Sequence, residues 1–355
     1  MTTIDKSKPV LVTGATGFVA GWIVKRLLDE GLTVHLAVRN PDKKEKVAHL
    51  NKLAENSKGS IKYFKCDLLN EGSYAEAMQG CELVYHTASP FTSDFKDPQK
   101  ELIDPAVMGT ANVLNQANKT ESVKRVVVTS SCAAIYSDAI DTVNAHGGKI
   151  TEAMWNETAS LTYQPYSYSK TLAEKRGWQI NKAQTKWDMI TINPSFVMGP
   201  ALNADSVTSE SYSILKQIGN GTMKMGAPKL GVGVVDVRDV AEAHYQAGFN
   251  PEAHDRYITS AHNTNFLEMA LTLDSKYGND YPIPTKALPK WLLMIVGPFV
   301  NKAFSREFMR KNINIPWNAD NSKIKNELGV KFRPLQETME DSFQVLIDHK
   351  LIPTK

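Results

Sequence analysis

Residues 10–20 (VLVTGATGFVA) decide the fold, because an apolar strand there leads through a glycine-rich turn into a helix. Gly14 permits a tight turn, and Gly17 lets the backbone amides at the start of the helix approach a bound group. The third small position is Ala20, whose methyl group still allows close packing of helix on strand. Amide donors and the helix dipole at such a turn favour an anion such as a pyrophosphate. The alternative is a turn with a purely structural role.

Short β-branched runs recur along the first half of the chain, and segments with helical spacing separate most of them. The predicted strands are residues 10–13, 33–38, 61–64, 83–87, 125–129 and 189–192. Strand and helix in alternation indicate right-handed crossovers and a parallel sheet covered on both faces. The predicted fold class is therefore α/β, a Rossmann-type doubly wound parallel sheet with a smaller C-terminal substrate domain.

The alternation fades after residue 194, and this change predicts the domain boundary. We expect a dinucleotide-binding Rossmann domain over residues 1–194 and a mainly substrate-binding domain over 195–355. A further strand and helix within 233–250 are expected to pack back on the first domain.

Composition excludes several classes of protein. The 41 basic and 38 acidic residues are dispersed and leave a net charge of +3, so no nucleic-acid footprint is present. The three cysteines lack the spacing of metal ligands and suit a reducing compartment, and with a polar N-terminus they predict a cytoplasmic protein. The most apolar stretch, 288–304, is interrupted by proline, glycine and lysine. It is too short for the roughly 20 residues of a membrane span, so we expect a buried or pocket-lining helix.

The residues after the second and third predicted strands indicate the cofactor. Arg39 stands where NAD-specific proteins usually carry an acidic residue. A guanidinium there can stack on adenine and bind a 2′-phosphate, with Lys43 or Lys44 as a second cation. This favours NADPH, and the alternative is a solvated run of charge. Asp67 can accept the adenine amino group or cap the next helix, and neither role is favoured.

Tyr166 and Lys170 lie one helical turn apart, so their side chains share a helix face. A free phenol titrates near 10, and a fixed ammonium beside it favours its ionisation. The pair suits a phenol that gives its proton to a carbonyl oxygen as hydride arrives. Ser131, at the end of the fifth strand, is the hydroxyl expected to hold that oxygen. Ser130 is the second choice, and a turn or cap hydrogen bond is the structural alternative for the serine pair.

Other residues are secondary candidates. Asn112, on the helix before the fifth strand, is expected to anchor a water or a backbone group. The side chains that can line a relatively apolar pocket, or simply form core, are Phe91, Tyr163, Phe196, Met198, Tyr212 and the Met223-Lys224-Met225 segment.

Together these segments resemble the extended short-chain dehydrogenase/reductases of the dihydroflavonol-4-reductase-like group, which are carbonyl or aldehyde reductases. The matching segments are VTGATGF (12–18), AVRNP (37–41), CDL (66–68), HTASP (86–90), GTANV (109–113), VVVTSS (126–131), YSYSK (166–170) with TLAE (171–174) after it, INPSFVMGP (192–200), DVRDVAEAH (236–244) and KNELGVKFRPLQET (325–338). Ala20 departs from the glycine of many members. The residues Cys132-Ala133-Ala134 depart from the Ala-Gly-Thr of plant flavonoid reductases, which disfavours a flavonoid substrate.

The resemblance implies NADPH-dependent reduction of a ketone or aldehyde through Ser131, Tyr166 and Lys170. It also implies contacts to nicotinamide from the residues after the sixth strand. The full set expected to contact NADPH is Gly14, Thr16, Gly17, Phe18, Val19, Arg39, Lys43, Asp67, Leu68, Thr87, Ala88, Ser89, Tyr166, Lys170, Pro194, Ser195 and Val197.

Two alternatives remain beside a carbonyl reductase acting on a small molecule. The same fold can catalyse epimerisation, dehydration or 3β-hydroxysteroid oxidation. A sugar-nucleotide epimerase, however, needs basic groups in the second half, where no compact arginine cluster stands. A non-catalytic NADP-binding regulator has no need of the serine, tyrosine and lysine in register. Monomer and homodimer are equally compatible with the sequence.

Overall fold

A computed structural model describes residues 1–89, 95–203, 207, 209–300 and 304–355, and for 296 and 298–300 it describes the backbone alone. The strands are β1 (Val10–Thr13), β2 (Thr33–Val38), β3 (Ser60–Lys65), β4 (Leu83–His86), β5 (Arg125–Thr129), β6 (Asp188–Pro194), β7 (Phe196–Met198), β8 (Gly231–Asp236), β9 (Asp255–Thr259) and β10 (His262–Asn265). The helices are α1 (Phe18–Asp29), α2 (Lys44–Glu55), α3 (Ala75–Met78), α4 (Asp104–Lys119), α5 (Ala139–Asn144), α6 (Pro165–Lys182), α7 (Glu210–Gly219), α8 (Val237–Phe249), α9 (Phe266–Tyr277), α10 (Lys290–Val300), α11 (Arg306–Asn312), α12 (Ser322–Leu328) and α13 (Leu335–Asp348).

The central sheet has seven strands in the order β3-β2-β1-β4-β5-β6-β9, and every pairing in it is parallel. The predicted doubly wound parallel sheet is confirmed. Its six predicted strands are present, three of them with the predicted ends and three with ends that differ by one or two residues. The seventh, β9, was not predicted, because its sequence DRYIT opens with two charged residues. Strand β9 is nevertheless buried from its second residue onward, since it lies beside β6.

A second, three-stranded sheet has the order β10-β8-β7, in which β8 is antiparallel to β10 and parallel to β7. Strand β8 therefore does not join the central sheet. The helix that follows it, α8, does pack there, because Ala241 and Ala243 share a buried cluster with Val12 and Leu36. The division of the chain at residue 194 stays a prediction.

The apolar stretch near residue 290 forms α10, which has 11 residues. Within the described residues, no helix combines the length and apolar character needed to cross a membrane.

Candidate active site

The turn between β1 and α1 is open toward a ligand. Gly14 has a φ of +66°, and a Cβ atom there would lie 2.9 Å from the Cα of Ala88. Glycine is therefore required both for the backbone angle and for the close approach of the end of β4. Gly17 precedes α1 without a capping side chain, and the first turn of α1 contains no acidic residue. The first amides of α1 thus lack a side-chain acceptor at the cap, which suits an anion.

The cations after β2 are available to a ligand. Arg39 and Lys43 are both exposed, and Lys43 directly precedes α2. In the described ranges no ion pair involves either of them. The turn between them is fixed locally, because the Asp42 amide donates to Oδ1 of Asn40 at 3.0 Å.

The segment after β3 is a turn and not a helix start. Asp67 Oδ1 accepts the amide of Leu69 at 2.9 Å, and the next helix begins only at Ala75. The helix-cap role considered for Asp67 is therefore wrong, and its contact with adenine stays a prediction. Asn112 donates to the carbonyl oxygen of Leu68 at 3.0 Å. Of the two roles expected for Asn112, the structure gives it the backbone anchor.

The end of β4 is tied to β1. The Thr13 hydroxyl accepts the amides of Thr87 and Ala88, each at 3.1 Å. The same hydroxyl lies 3.0 Å from Nδ1 of His86. Burial, with the charge of Lys170 as a smaller cause, lowers the pKa of His86 to about 3. His86 is therefore neutral at physiological pH and supports the wall of the site without adding charge.

Helix α6 brings Tyr166 and Lys170 together, as the spacing predicted. The Lys170 ammonium lies 5.6 Å from the centroid of the Tyr166 ring and donates to Oγ of Ser89 at 2.9 Å. Burial lowers the pKa of Lys170 to about 8. The ammonium is thus mostly charged at neutral pH and titrates close to it.

The phenol of Tyr166 is protonated at neutral pH. Burial and the nearby charge of Glu210 raise its pKa to about 12, although a hydrogen bond with Ser131 opposes the rise. The expectation that Lys170 would bring this pKa down is not met, because burial and the charge of Glu210 dominate. Glu210, the first residue of α7, was missed by the sequence analysis. No motif marks it, because only the fold brings α7 close to α6.

The structure distinguishes the two serines after β5. Ser130 is buried and its hydroxyl donates to Oε2 of Glu174. Ser131 instead lies close enough to Tyr166 to lower the pKa of its phenol, and its Oγ accepts the amide of Ala133 at 3.1 Å. The Ser130 hydroxyl is therefore engaged with Glu174. Ser131 has the cap role considered as its alternative, and its contact with a substrate oxygen stays a prediction.

The residues after β6 complete the same edge of the sheet. Ser195 donates its amide to the carbonyl of Thr259 at 3.1 Å. Its buried Oγ has no hydrogen-bond partner among the described residues. Val197 lies in β7 and its carbonyl accepts the hydroxyl of Ser211 at 2.6 Å. A buried hydroxyl without a partner costs free energy, so Ser195 suits a polar group of a bound molecule.

The strands of the central sheet are parallel, so the segments that follow them meet at one edge of the sheet. The residues predicted to bind the cofactor, together with Ser131, Tyr166 and Lys170, lie at the ends of β1 to β6, just after them, or in the first turns of the helices that come next. They are Gly14, Thr16, Gly17, Phe18, Val19, Arg39, Lys43, Asp67, Leu68, Thr87, Ala88, Ser89, Ser131, Tyr166, Lys170, Pro194, Ser195 and Val197. The sheet topology thus brings these segments to one edge of the sheet, and the roles of the candidate residues in binding and catalysis stay predictions.

An apolar cavity of about 480 Å³ lies among α7, α10 and α11. Met223 and Met225, predicted as pocket residues, line it. The full lining is Ile214, Gln217, Thr222, Met223, Met225, Gly226, Pro228, Leu230, Phe266, Leu288, Leu292, Leu293, Gly297, Phe304, Phe308, Met309 and Ile313.

Other predicted pocket residues have different places. Met198 and Tyr212 are buried in the core of the second sheet, and Phe196 packs against that core. Tyr163 donates its hydroxyl to the buried Asp138, 2.9 Å from Oδ2. Phe91 lies outside the described residues.

The chain is similar to a known family and to known reductases. The model of the NAD dependent epimerase/dehydratase family matches residues 10–259, which include every candidate site residue. A cinnamoyl-CoA reductase of Medicago truncatula is 40% identical over 286 residues, or 78% of this chain and 83% of that protein. A tetraketide alpha-pyrone reductase of Arabidopsis thaliana is 34% identical over 99% of both chains. The structure of the yeast methylglyoxal/isovaleraldehyde reductase Gre2, complexed with NADPH, is 28% identical with a TM-score of 0.76 and covers 97% of this chain and 100% of that one.

Proposed function

The chain belongs to the NAD-dependent epimerase/dehydratase family, among the reductases that resemble dihydroflavonol 4-reductase, and from this membership we propose that it reduces a ketone or aldehyde with NADPH. One observation carries the proposal. Ser131 lies beside a protonated Tyr166, and the Lys170 ammonium lies one helical turn away, 5.6 Å from the centroid of the Tyr166 ring. A regulator that only binds a nucleotide would not need these three groups together.

The residues of the cleft fit NADPH. The uncapped first amides of α1 suit its pyrophosphate, and the exposed Arg39 and Lys43 suit its 2′-phosphate. The buried hydroxyl of Ser195, which has no hydrogen-bond partner in the described part of the chain, suits the carboxamide of the nicotinamide. NADPH supplies the hydride when it is bound.

The chain itself handles the proton. With a pKa of about 12, Tyr166 holds its proton until negative charge develops on the carbonyl oxygen of the substrate. Its O–H bond then breaks and the alcohol O–H bond forms, which leaves a phenolate. Ser131 holds the oxygen in place by a second hydrogen bond. The Lys170 ammonium stabilises the phenolate electrostatically, as it carries its charge below about pH 8.

We also propose that the apolar cavity receives the apolar part of the substrate. Helix α7 begins at Glu210, which lies close enough to Tyr166 to raise its pKa. Ile214, one helical turn further along α7, lines the cavity. A substrate whose carbonyl contacts Tyr166 can therefore extend an alkyl or aryl group along α7. This placement supports the proposed substrate-binding role of residues 195–355.

The test is oxidation of NADPH, followed by absorbance, with a panel of aliphatic and aromatic aldehydes, β-keto esters and a dihydroflavonol. We expect turnover with NADPH, much slower turnover with NADH, and a preference for carbonyls with a bulky apolar group. If neither cofactor is oxidised with any carbonyl compound, the proposal fails, and sugar nucleotides become the next substrates to test.

A further inference from the structure

A buried carboxylate lies behind the reacting residues. Glu174 is on α6, four residues beyond Lys170 and eight beyond Tyr166, so the three side chains share one face of the helix. Only 2% of Glu174 is exposed. A carboxylate this deeply buried is stable only with several donors, and Glu174 has them.

The donors to Glu174 come from three other elements. Arg256 of β9 donates through Nε to Oε1 at 2.6 Å, and Asn193 of β6 donates through Nδ2 to Oε2 at 2.8 Å. The Ser130 hydroxyl, directly after β5, donates to Oε2 as well. Trp178 of α6 adds its indole N–H at 3.2 Å. One carboxylate thus joins α6 to the three last strands of the sheet.

Arg256 is held as firmly as its partner. It is 6% exposed, its Nη1 donates to the carbonyl oxygens of Glu152 and Met154, and its guanidinium lies 4.1 Å from the Trp155 ring centroid. The ion pair cannot shift without breaking these contacts. These contacts therefore hold the Glu174 carboxylate in one position.

Asn193 extends this network to the reacting hydroxyl. Its Nδ2 donates to the backbone carbonyl of Ser131 at 3.2 Å as well as to Glu174. Its own carbonyl accepts the Cys132 thiol at 3.1 Å. The backbone at Ser131 is thereby tied to the same carboxylate that is anchored on the helix of Tyr166.

We propose that Glu174 and Asn193 are positioning residues, which fix the distance between the Ser131 hydroxyl and the Tyr166 phenol by tying their two elements to one buried ion pair. Ser131 lies on a turn and Tyr166 on a helix, so no local structure sets this distance. Rate is sensitive to such alignment, because both hydroxyls must contact one oxygen atom. The proposal builds on the proposed function, but it concerns a distance that can be observed without turnover.

The test uses Asn193→Ser, which keeps the Glu174–Arg256 ion pair and removes the amide that reaches Ser131. With NADPH and a carbonyl substrate, we expect kcat to fall by up to about 100-fold and the Kd of NADPH to stay unchanged. In the protein with isotope-labelled tyrosine, the NMR resonance of the Tyr166 ring, assigned by its loss in Tyr166→Phe, should move. Glu174→Gln should act in the same direction if it folds.

Trp187→Phe is the matched control, because it removes the hydrogen bond of another buried indole, to Oδ1 of Asn118, and leaves the donors to Glu174 in place. We expect it to lower Tm while kcat and the Tyr166 resonance stay as in the wild type. The proposal is overturned if Asn193→Ser lowers only Tm, or if Trp187→Phe moves kcat and the resonance equally. Should the wild type reduce no carbonyl compound, the proposed function fails, and the resonance alone still decides the positioning role.

Discussion

The Lys170 ammonium donates to the Ser89 hydroxyl at 2.9 Å, and this contact joins the helix of Tyr166 to the end of β4. The lysine thus has a fixed place beside the phenol. Burial makes its charge costly, which lowers its pKa to about 8. The charge on which the proposed chemistry depends is therefore sensitive to pH close to neutrality.

We expect the rate of carbonyl reduction to fall as the pH rises through about 8. Lys170 is charged below that pH and neutral above it, and only the charged form stabilises the phenolate left on Tyr166. The measurement is kcat as a function of pH. Lys170→Arg, which stays charged throughout this range, should lose the decline if the longer side chain is accommodated. A wild-type rate that stays constant up to pH 10 would contradict this role.

Arg39 should decide between NADPH and NADH. We expect Arg39→Ala to weaken the binding of NADPH by about 10- to 100-fold, because a charge-assisted hydrogen bond contributes about 1.5–3 kcal/mol. The affinity for NADH, which lacks the 2′-phosphate, should fall much less. The measurement is the Kd of each cofactor. Lys43→Ala and Lys44→Ala, compared in the same way, would identify the second cation, and an equal loss for both cofactors would argue against phosphate recognition.

The two serines after β5 offer a matched pair. Ser131→Ala should lower kcat by about 10²–10³ with little loss of stability, because it removes a donor to the developing oxyanion. Ser130→Ala leaves Glu174 short of one donor, so it should reduce the free energy of unfolding by about 1–3 kcal/mol. Kinetics and urea unfolding of both variants check this. A larger fall of kcat in Ser130→Ala than in Ser131→Ala would reverse the assignment.

The cavity should set preference for large apolar substrates. Met223→Trp fills part of its volume, so we expect KM to rise about 10-fold or more for a carbonyl compound with a bulky aryl group. KM for a small aldehyde should hardly change. Met108→Trp, at a methionine that is 54% exposed elsewhere on the surface, is the control. Equal effects on large and small substrates would place the bulky group outside this cavity.

Sequence patterns predicted the sheet because its strands are continuous apolar runs between helical segments. Strand β9 was not predicted, because it begins with the charged residues Asp255 and Arg256. Arg256 is nevertheless buried, and its charge is paired with that of Glu174. The spacing of Tyr166 and Lys170 was predictable because both lie on one helix. The pKa of Tyr166 could not be predicted from the sequence, since burial and the approach of Glu210 depend on tertiary packing. Ser131 was preferred to Ser130 from the sequence, but the hydrogen bond that engages Ser130 with Glu174 could not be predicted, because it depends on tertiary packing.

The central claim is that Tyr166 gives the proton in an NADPH-dependent reduction. The most direct test compares kcat and the NADPH Kd of the wild type with those of Tyr166→Phe, which removes one hydroxyl from a buried ring. We predict a fall of kcat by about 10²–10⁴ with an unchanged Kd, as expected for the loss of a general acid. Turnover close to that of the wild type would contradict the assignment of Tyr166.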